Sequence, residues 1–252
     1  MTEALGSAAP DDAATRTATL RTAAPRTARD RARAELTQEI KAAARRHLAA
    51  EGAQQLSLRA VARELGMASS ALYRYFPSRD DLLTALIVDA YNAIGERVER
   101  AVEAAGAAEH PRAAWRGLCD AVRAWAREHP HEYALIYGSP VPGYQAPEDT
   151  LAPFSRVPFA LLRILRDSGA DFARPTRDAG LPQPLAAQLQ AVVEAGGLDV
   201  PPPALARALF AWTGVFGMVS FELFGQLRAS ADPADPFFGY AVERHADLLG
   251  LA

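Results

Sequence analysis

Four places in the chain carry side chains whose types and spacing bear on chemistry. His129, His131 and Glu132 flank Pro130 at the edge of a helical pattern. Their spacing does not set three ligands on one helix face, so no metal is expected there. Cys119 is the single cysteine, with Leu118 and Val122 beside it. One thiol excludes an internal disulfide framework and a thiolate-rich metal site, suits a reducing cytoplasm, and in this setting reads as a small buried hydrophobe. Ser139 precedes Pro140 without an evident base partner. No phosphate-cradling glycine loop, nucleophile elbow or carboxylate pair occurs, so neither an enzyme nor a cofactor is expected. The fourth place, Ser57 to Arg79, gathers Ser57, Arg59, Ser69, Ser70, Tyr73, Tyr75 and Arg79. Hydroxyls and guanidinium groups in one short stretch are donors for phosphate oxygens and base edges.

The charge distribution supports that chemistry. The chain as a whole carries −3, but Ala13 to Arg79 holds thirteen basic residues against five acidic ones. That is a local excess of eight, which leaves about −11 for the rest. A basic end on an acidic body suits a polyanion partner. No run of apolar residues has the length of a membrane span, and the N-terminus lacks the basic-then-apolar order of a secretory signal, so a cytoplasmic location without membrane contact is expected. Residues 1–33, rich in Ala, Thr, Arg, Asp and Pro, contain too few large apolar groups to offset their ordering entropy and are expected to form a disordered tail. Its arginines, Arg16 to Arg33, either follow a DNA groove or remain solvated.

From about Ala34 the pattern is helical. Leu36, Ile40, Ala43, Ala44, His47 and Leu48 recur at three- and four-residue steps, with Lys41 and Arg45 pointing elsewhere, and Gly52 ends the run. Ser57 then caps a short helix with Leu58, Val61, Ala62 and Leu65, closed by Gly66. A third helix starts at Ser69 or Ser70 and runs through Phe76, where Pro77 breaks it. Ser78 caps a fourth, towards Val102. Two short helices about a glycine turn make a helix-turn-helix, with Val61, Ala62 and Leu65 packing on Leu72 and Phe76. Further helices are expected at 111–128, 131–138, 152–167, 183–195, 203–228 and 236–249, separated by Pro and Gly clusters, the middle one running from Ser168 to Pro184. Strand-like alternation is absent. The predicted fold is all-α, with a three-helix helix-turn-helix domain over residues 34–80 and a larger helical domain over 81–252.

The residues Ser57, Val61, Ala62, Leu65, Gly66, Leu72, Tyr73, Phe76, Arg79, Asp81, Leu82 and Leu83, extended upstream to Ile40, Ala44 and Gly52, resemble the N-terminal signature of the TetR family of bacterial regulators. The resemblance implies that Ala68, Ser69, Ser70 and Ala71 face the major groove. Tyr73 and Tyr75 would touch phosphates or the groove wall, Arg79 would sit within reach of a phosphate, and Ser57 and Arg59 would open the helix that crosses the backbone. None of residues 68–71 offers the bidentate pairing that discriminates bases best. Specificity would then lean on thymine methyl contacts, serine hydrogen bonds, DNA shape or the arginine tail. Further on, Trp212-Thr-Gly-Val-Phe-Gly is similar to the WHG type of TetR C-terminal domain, with Phe216 where that pattern has histidine.

The 203–228 helix is apolar nearly all round, through Leu205, Leu209, Phe210, Val215, Phe216, Val219, Phe221 and Phe224, and must be buried on several sides. By resemblance, it and the 236–249 helix would pair with their twofold mates, giving a homodimer on a palindromic operator. The resemblance also implies a pocket for an unknown small-molecule effector. Trp115, Cys119, Val122, Trp125, Tyr133, Tyr137, Phe154, Phe159, Leu162 and Phe216 are its candidate lining, and Arg123 or Arg163 would meet an acidic ligand group. The expected function is a dimeric DNA-binding repressor released from its operator by a small, mostly apolar ligand. The alternative is a DNA-binding or partner-binding helical protein that senses no small molecule.

Overall fold

The computed structural model describes residues 27–169 and 180–252. Among these residues there are ten α-helices, two short 3-10 turns and no strand. The first helix, α1, spans Ala28–Glu51 and so starts before Ala34. The cause is local: the Asp30 amide donates to Thr27 Oγ1 at 3.1 Å, and Thr27 Oγ1 donates to the Asp30 carboxylate at 2.7 Å. That reciprocal cap nucleates a helix which the alanines and arginines then propagate at little cost. The expected tail up to Arg26 and the loop at 170–179 lie outside the described residues. Among the described residues, 27–38 fall in one unit and those from Glu39 onward in another.

In the second unit, Ile40, Ala43, Ala44 and Leu48 of α1 are buried on one face. They share a small core with α2 (Leu58–Glu64), α3 (Ser69–Leu72) and the start of α4 (Arg79–Ala105). Lys41 is not directed away as expected. The residue is buried, 8% exposed, and its ammonium reaches from α1 to α4, donating to Asp89 at 2.9 Å. A long stem buried along apolar surface with its charge paired explains the placement. Ser78 caps α4 as expected, accepting from the Asp81 amide at 3.1 Å. The helix α3 ends at Leu72 rather than Phe76, because the chain tightens into three-residue turns ahead of Pro77: Arg74 N donates to Ala71 O at 3.2 Å and Tyr75 N to Leu72 O at 2.9 Å.

The larger core begins at Ala90 and lies among α4, α5 (Pro111–Glu128), α6 (Pro130–Tyr137), α7 (Leu151–Asp167), α9 (Pro202–Leu223) and α10 (Asp235–Leu249), with α8 (Gln183–Gly196) packed on α9. Gly95 lets α7 come close to α4, since a Cβ there would stand 2.8 Å from Arg156 Cβ. Arg156 then forks onto Glu99 at 2.9 and 2.6 Å. The helix α9 stops at Leu223, short of the expected 228. Gly225 takes a left-handed conformation (φ 79°), and Gln226 N bonds Phe221 O at 2.9 Å, a Schellman ending.

The last helix is fastened to α5 by Trp115 Nε1, which donates to Val242 O at 2.9 Å, and by Glu243, which accepts from both Arg116 and Arg112. These guanidinium groups, Arg116 foremost, hold the Glu243 carboxyl down at about 2. A folded-state value below the ordinary carboxylate value of about 4.3 contributes stability above that pH, and the contribution is lost as pH falls towards about 2. Denaturant midpoints measured from pH 5 to pH 2 should therefore fall less steeply in Glu243→Gln than in the parent. Parallel profiles would show that the pairing carries no net stability.

Candidate nucleic-acid interface

The turn between α2 and α3 is built by backbone geometry. Gly66 sits at φ 65°, Gly66 N donates to Arg63 O at 3.1 Å and Met67 N to Ala62 O at 2.8 Å. This closes α2 with a second Schellman motif and redirects the chain at once into α3. Val61, Ala62 and Leu72 are fully buried between the two helices, with Phe76 beneath them. Burying that side leaves the other side outward. Ala68 and Ser70 are exposed, Ser69 and Ala71 half-buried, Tyr73 exposed and Tyr75 half-buried. Ser57 precedes α2 in extended conformation without a side-chain cap bond, and Arg59 is exposed on the first turn. The arrangement leaves hydroxyls, a phenol and a guanidinium exposed on two packed helices. That is the chemistry of phosphate contact and groove entry.

Arg79 is placed differently from the expectation of a phosphate contact. Its Nε donates to Leu56 O at 3.1 Å and its Nη2 to Ala53 O at 2.9 Å and Gln54 O at 3.3 Å, while Nη1 faces Asp80 at 3.3 Å. The planar fork thus gathers the carbonyls of the turn between α1 and α2. It positions the domain's frame rather than extending from it. Arg45 has a comparable role at the other end: it meets Asp89 of α4 at 2.6 Å and Glu132 of α6 at 2.9 Å. His129 Nδ1 lies 3.0 Å from the same Glu132.

The residues expected to line a pocket in the larger domain divide into three groups. Tyr133, Tyr137 and Phe216 come together, with ring centroids of Tyr137 and Phe216 4.3 Å apart and of Tyr133 and Tyr137 5.3 Å apart. Trp212 and Tyr91 extend this aromatic chain to Phe154. Tyr133 donates to Phe216 O at 3.0 Å, and burial pushes its hydroxyl up to about 12. The Tyr137 hydroxyl is buried without a hydrogen-bond partner, and burial likewise raises its pKa. Tyr91 was missed in the sequence because nothing in the α4 pattern separates it from an ordinary helix-surface aromatic.

The second group is core. Trp115 and Cys119 are fully buried, and burial pushes the Cys119 thiol well up. Arg123 is engaged by Glu222 at 2.6 and 2.8 Å and by Asp235 at 3.1 Å, so its charge is already matched. The third group is peripheral. Phe159 is exposed and, with Arg163, lines a shallow cleft of about 260 Å³ against Gly197 and Asp199.

A two-helix reading head on an all-helical body defines a helix-turn-helix DNA-binding protein, and comparison with known proteins narrows that class. Residues 40–86 match the family described as bacterial regulatory proteins, tetR family, and residues 115–245 match the tetracyclin repressor-like C-terminal domain. The chain is 38% identical over 213 residues to an HTH-type transcriptional regulator of Mycobacterium tuberculosis and to one of Mycobacterium bovis, covering 82% of this chain and 89% of each relative. Among solved structures, the regulatory protein SCO4313 aligns with a TM-score of 0.74 at 33% identity, over 89% of this chain and all (100%) of that one. A protein from Rhodococcus sp. RHA1 aligns with a TM-score of 0.62 at 27% identity, over 86% of this chain and 95% of that one. The chain belongs to the TetR family of bacterial transcriptional regulators and carries its helix-turn-helix DNA-binding domain; the family and the mycobacterial relatives are transcriptional regulators and not enzymes.

Replacing Arg79 by Lys keeps the charge but cannot span the Ala53, Gln54 and Leu56 carbonyls. We expect a stability loss of about 1–3 kcal/mol, read as a lower denaturant midpoint. An unchanged midpoint would show that the turn holds without the fork.

Proposed function

We propose that this regulator is a homodimeric repressor that binds a palindromic operator and leaves it when a small, mostly apolar ligand occupies the larger domain. The observation that carries the dimer is an uncovered apolar face. Leu209, Phe210 and Phe221 of α9 and Phe237 and Tyr240 of α10 are exposed, at 46, 62, 54, 41 and 64%. The helix α9 is long and apolar enough to cross a membrane by length and composition, yet 39% of its most apolar stretch is buried within the chain. Gly217 and Gly239, on the same two helices, have open space where a Cβ would be. A glycine that no neighbour within the chain requires, beside large exposed aromatics, suits close approach by the same helices of a second copy. Their burial would favour association by the ordinary hydrophobic effect.

For DNA, we assign grip to Ser57, Arg59, Tyr73 and Tyr75, and base and methyl contacts to Ala68, Ser69, Ser70 and Ala71. With no bidentate side chain in that set, duplex shape carries much of the selectivity. For the ligand, the aromatic chain around Tyr137 offers stacking faces and one unsatisfied buried hydroxyl, which a carbonyl or hydroxyl of the effector would satisfy. The helix α4 would transmit the effect, since it enters both cores. The ligand must prefer one separation of the two reading heads, because equal affinity for both states shifts nothing. Such a regulator works in the cytoplasm, where its operator is.

Two measurements test this reading. In sedimentation, Phe210→Glu with Tyr240→Glu should convert a dimeric parent into a helical monomer; a monomeric parent would overturn the dimer. In anisotropy titrations, Arg59→Ala should weaken binding to every duplex and lower the slope of log affinity against log salt by about 1. A loss confined to one DNA sequence would move Arg59 from backbone grip to base reading.

A further inference from the structure

A further cavity contains none of the rings of the aromatic chain, and its Leu135, Pro140 and Val141 also line the neighbouring cavity beside Tyr91 and Phe154. It is a cleft of about 530 Å³, bounded on one side by the end of α1 and the turn after it, and on the other by the end of α6, the loop to Val141, and Phe224. We propose that this cleft binds an organic cation, an apolar body carrying one ammonium group, as an effector site adjoining the aromatic cluster but lined by none of its rings.

The electrostatics come from the backbone. Three helices end at this cleft: α1 at Glu51, α6 at Tyr137 and α9 at Leu223. A helix C-terminus carries about half a negative charge from its unpaired carbonyls, and basic residues in the last turn normally offset it. None of these three last turns contains a basic residue. Glu51 adds a full carboxylate at the wall, and no Lys or Arg lines the cleft. Arg79 bonds the Ala53 and Gln54 carbonyls but is not part of the lining. The only other titratable lining residue is His131.

The walls suit the rest of such a molecule. Leu48, Leu135 and Val141 supply apolar surface, and Phe224, 49% exposed, brings to the wall an aromatic ring of the kind that attracts cations. The volume lies in the range of ordinary small-molecule sites. An anion of the same size would meet the negative ends of three helix dipoles and the Glu51 carboxylate, and the nearby Arg79 fork is already spent on the Ala53 and Gln54 carbonyls. The site also spans a functional boundary: Leu48 and Glu51 lie within the stretch that matches the DNA-binding domain, and Leu135 and Phe224 within the stretch that matches the C-terminal domain. An occupant therefore touches the frame of the reading head directly.

The test is isothermal titration of the full-length protein with benzyltrimethylammonium, compared with its uncharged carbon analogue neopentylbenzene and with phenylacetate. Saturable binding of the cation is expected, with both comparison molecules weaker. Glu51→Gln and Phe224→Leu should each weaken the cation about two- to fivefold, while Asp199→Asn, an exposed carboxylate at the cleft beside Phe159, should leave it unchanged. Circular dichroism melts confirm that each variant is folded; should Phe224→Leu fail to fold, Glu51→Gln decides alone. Equal binding of cation and phenylacetate, absence of saturation, or a Glu51→Gln variant that binds like the parent would each overturn the site. Loss of response to the apolar effector on changing Tyr137 would concern the aromatic cluster and leave this result untouched.

Discussion

The apolar stripe of α4 is the constraint on which the other elements depend. Its first turns put Leu82, Leu83 and Leu86 into the small core beneath the helix-turn-helix, and its later turns put Ala90, Ile94, Val98 and Val102 into the large one. A 27-residue helix is about 40 Å of stiff rod at 1.5 Å per residue. Buried residues of one helix thus serve both the stretch that matches the DNA-binding domain and the larger core. The polar contacts at its midpoint follow the same logic. Asp89 receives Lys41 and Arg45 from α1, and Arg45 continues to Glu132 on α6. Removing one member would leave a partly buried charge unmatched, which gives the joint a defined geometry more than it adds stability.

Charge pairing elsewhere serves fastening. Arg112 and Arg116 hold Glu243, Arg123 holds Glu222, and Arg156 holds Glu99. Arginine is nearly the sole basic residue in this chain, and its planar fork suits these bidentate contacts between helices. A basic residue read from the sequence as a ligand or phosphate contact is therefore often a tie inside the fold. Arg79 and Arg123 are both examples. Arg59, by contrast, is exposed on the first turn of α2, as Ser70 and Tyr73 are exposed at the following helix.

Much of this was legible in the residue order. Helix periodicity, Gly52 and Gly66 at left-handed positions, Ser78 as a cap and Pro77 as a stop are local rules, and each acts through its nearest neighbours. They located the helix-turn-helix and nearly every later helix within a few residues. The exceptions were also local but subtler: the Thr27–Asp30 cap that extends α1, and the Gly225 ending that shortens α9. Both depend on hydrogen bonds that compete closely with continuing or not starting a helix.

The sequence by itself thus determined the helical class, the reading head and the segregation of basic charge, because those follow from propensity, capping and composition over short spans. Only the tertiary structure decided which polar groups are spent on holding the fold and which remain on a surface. It turned Lys41 inward and folded Arg79 back onto the turn before α2. It drew Tyr91 and Trp212 to Tyr137 and brought three helix ends to one cleft. The physical reason is that a hydrogen bond or ion pair between residues tens of positions apart is set by how helices pack, and packing is a property of the whole apolar surface rather than of any segment.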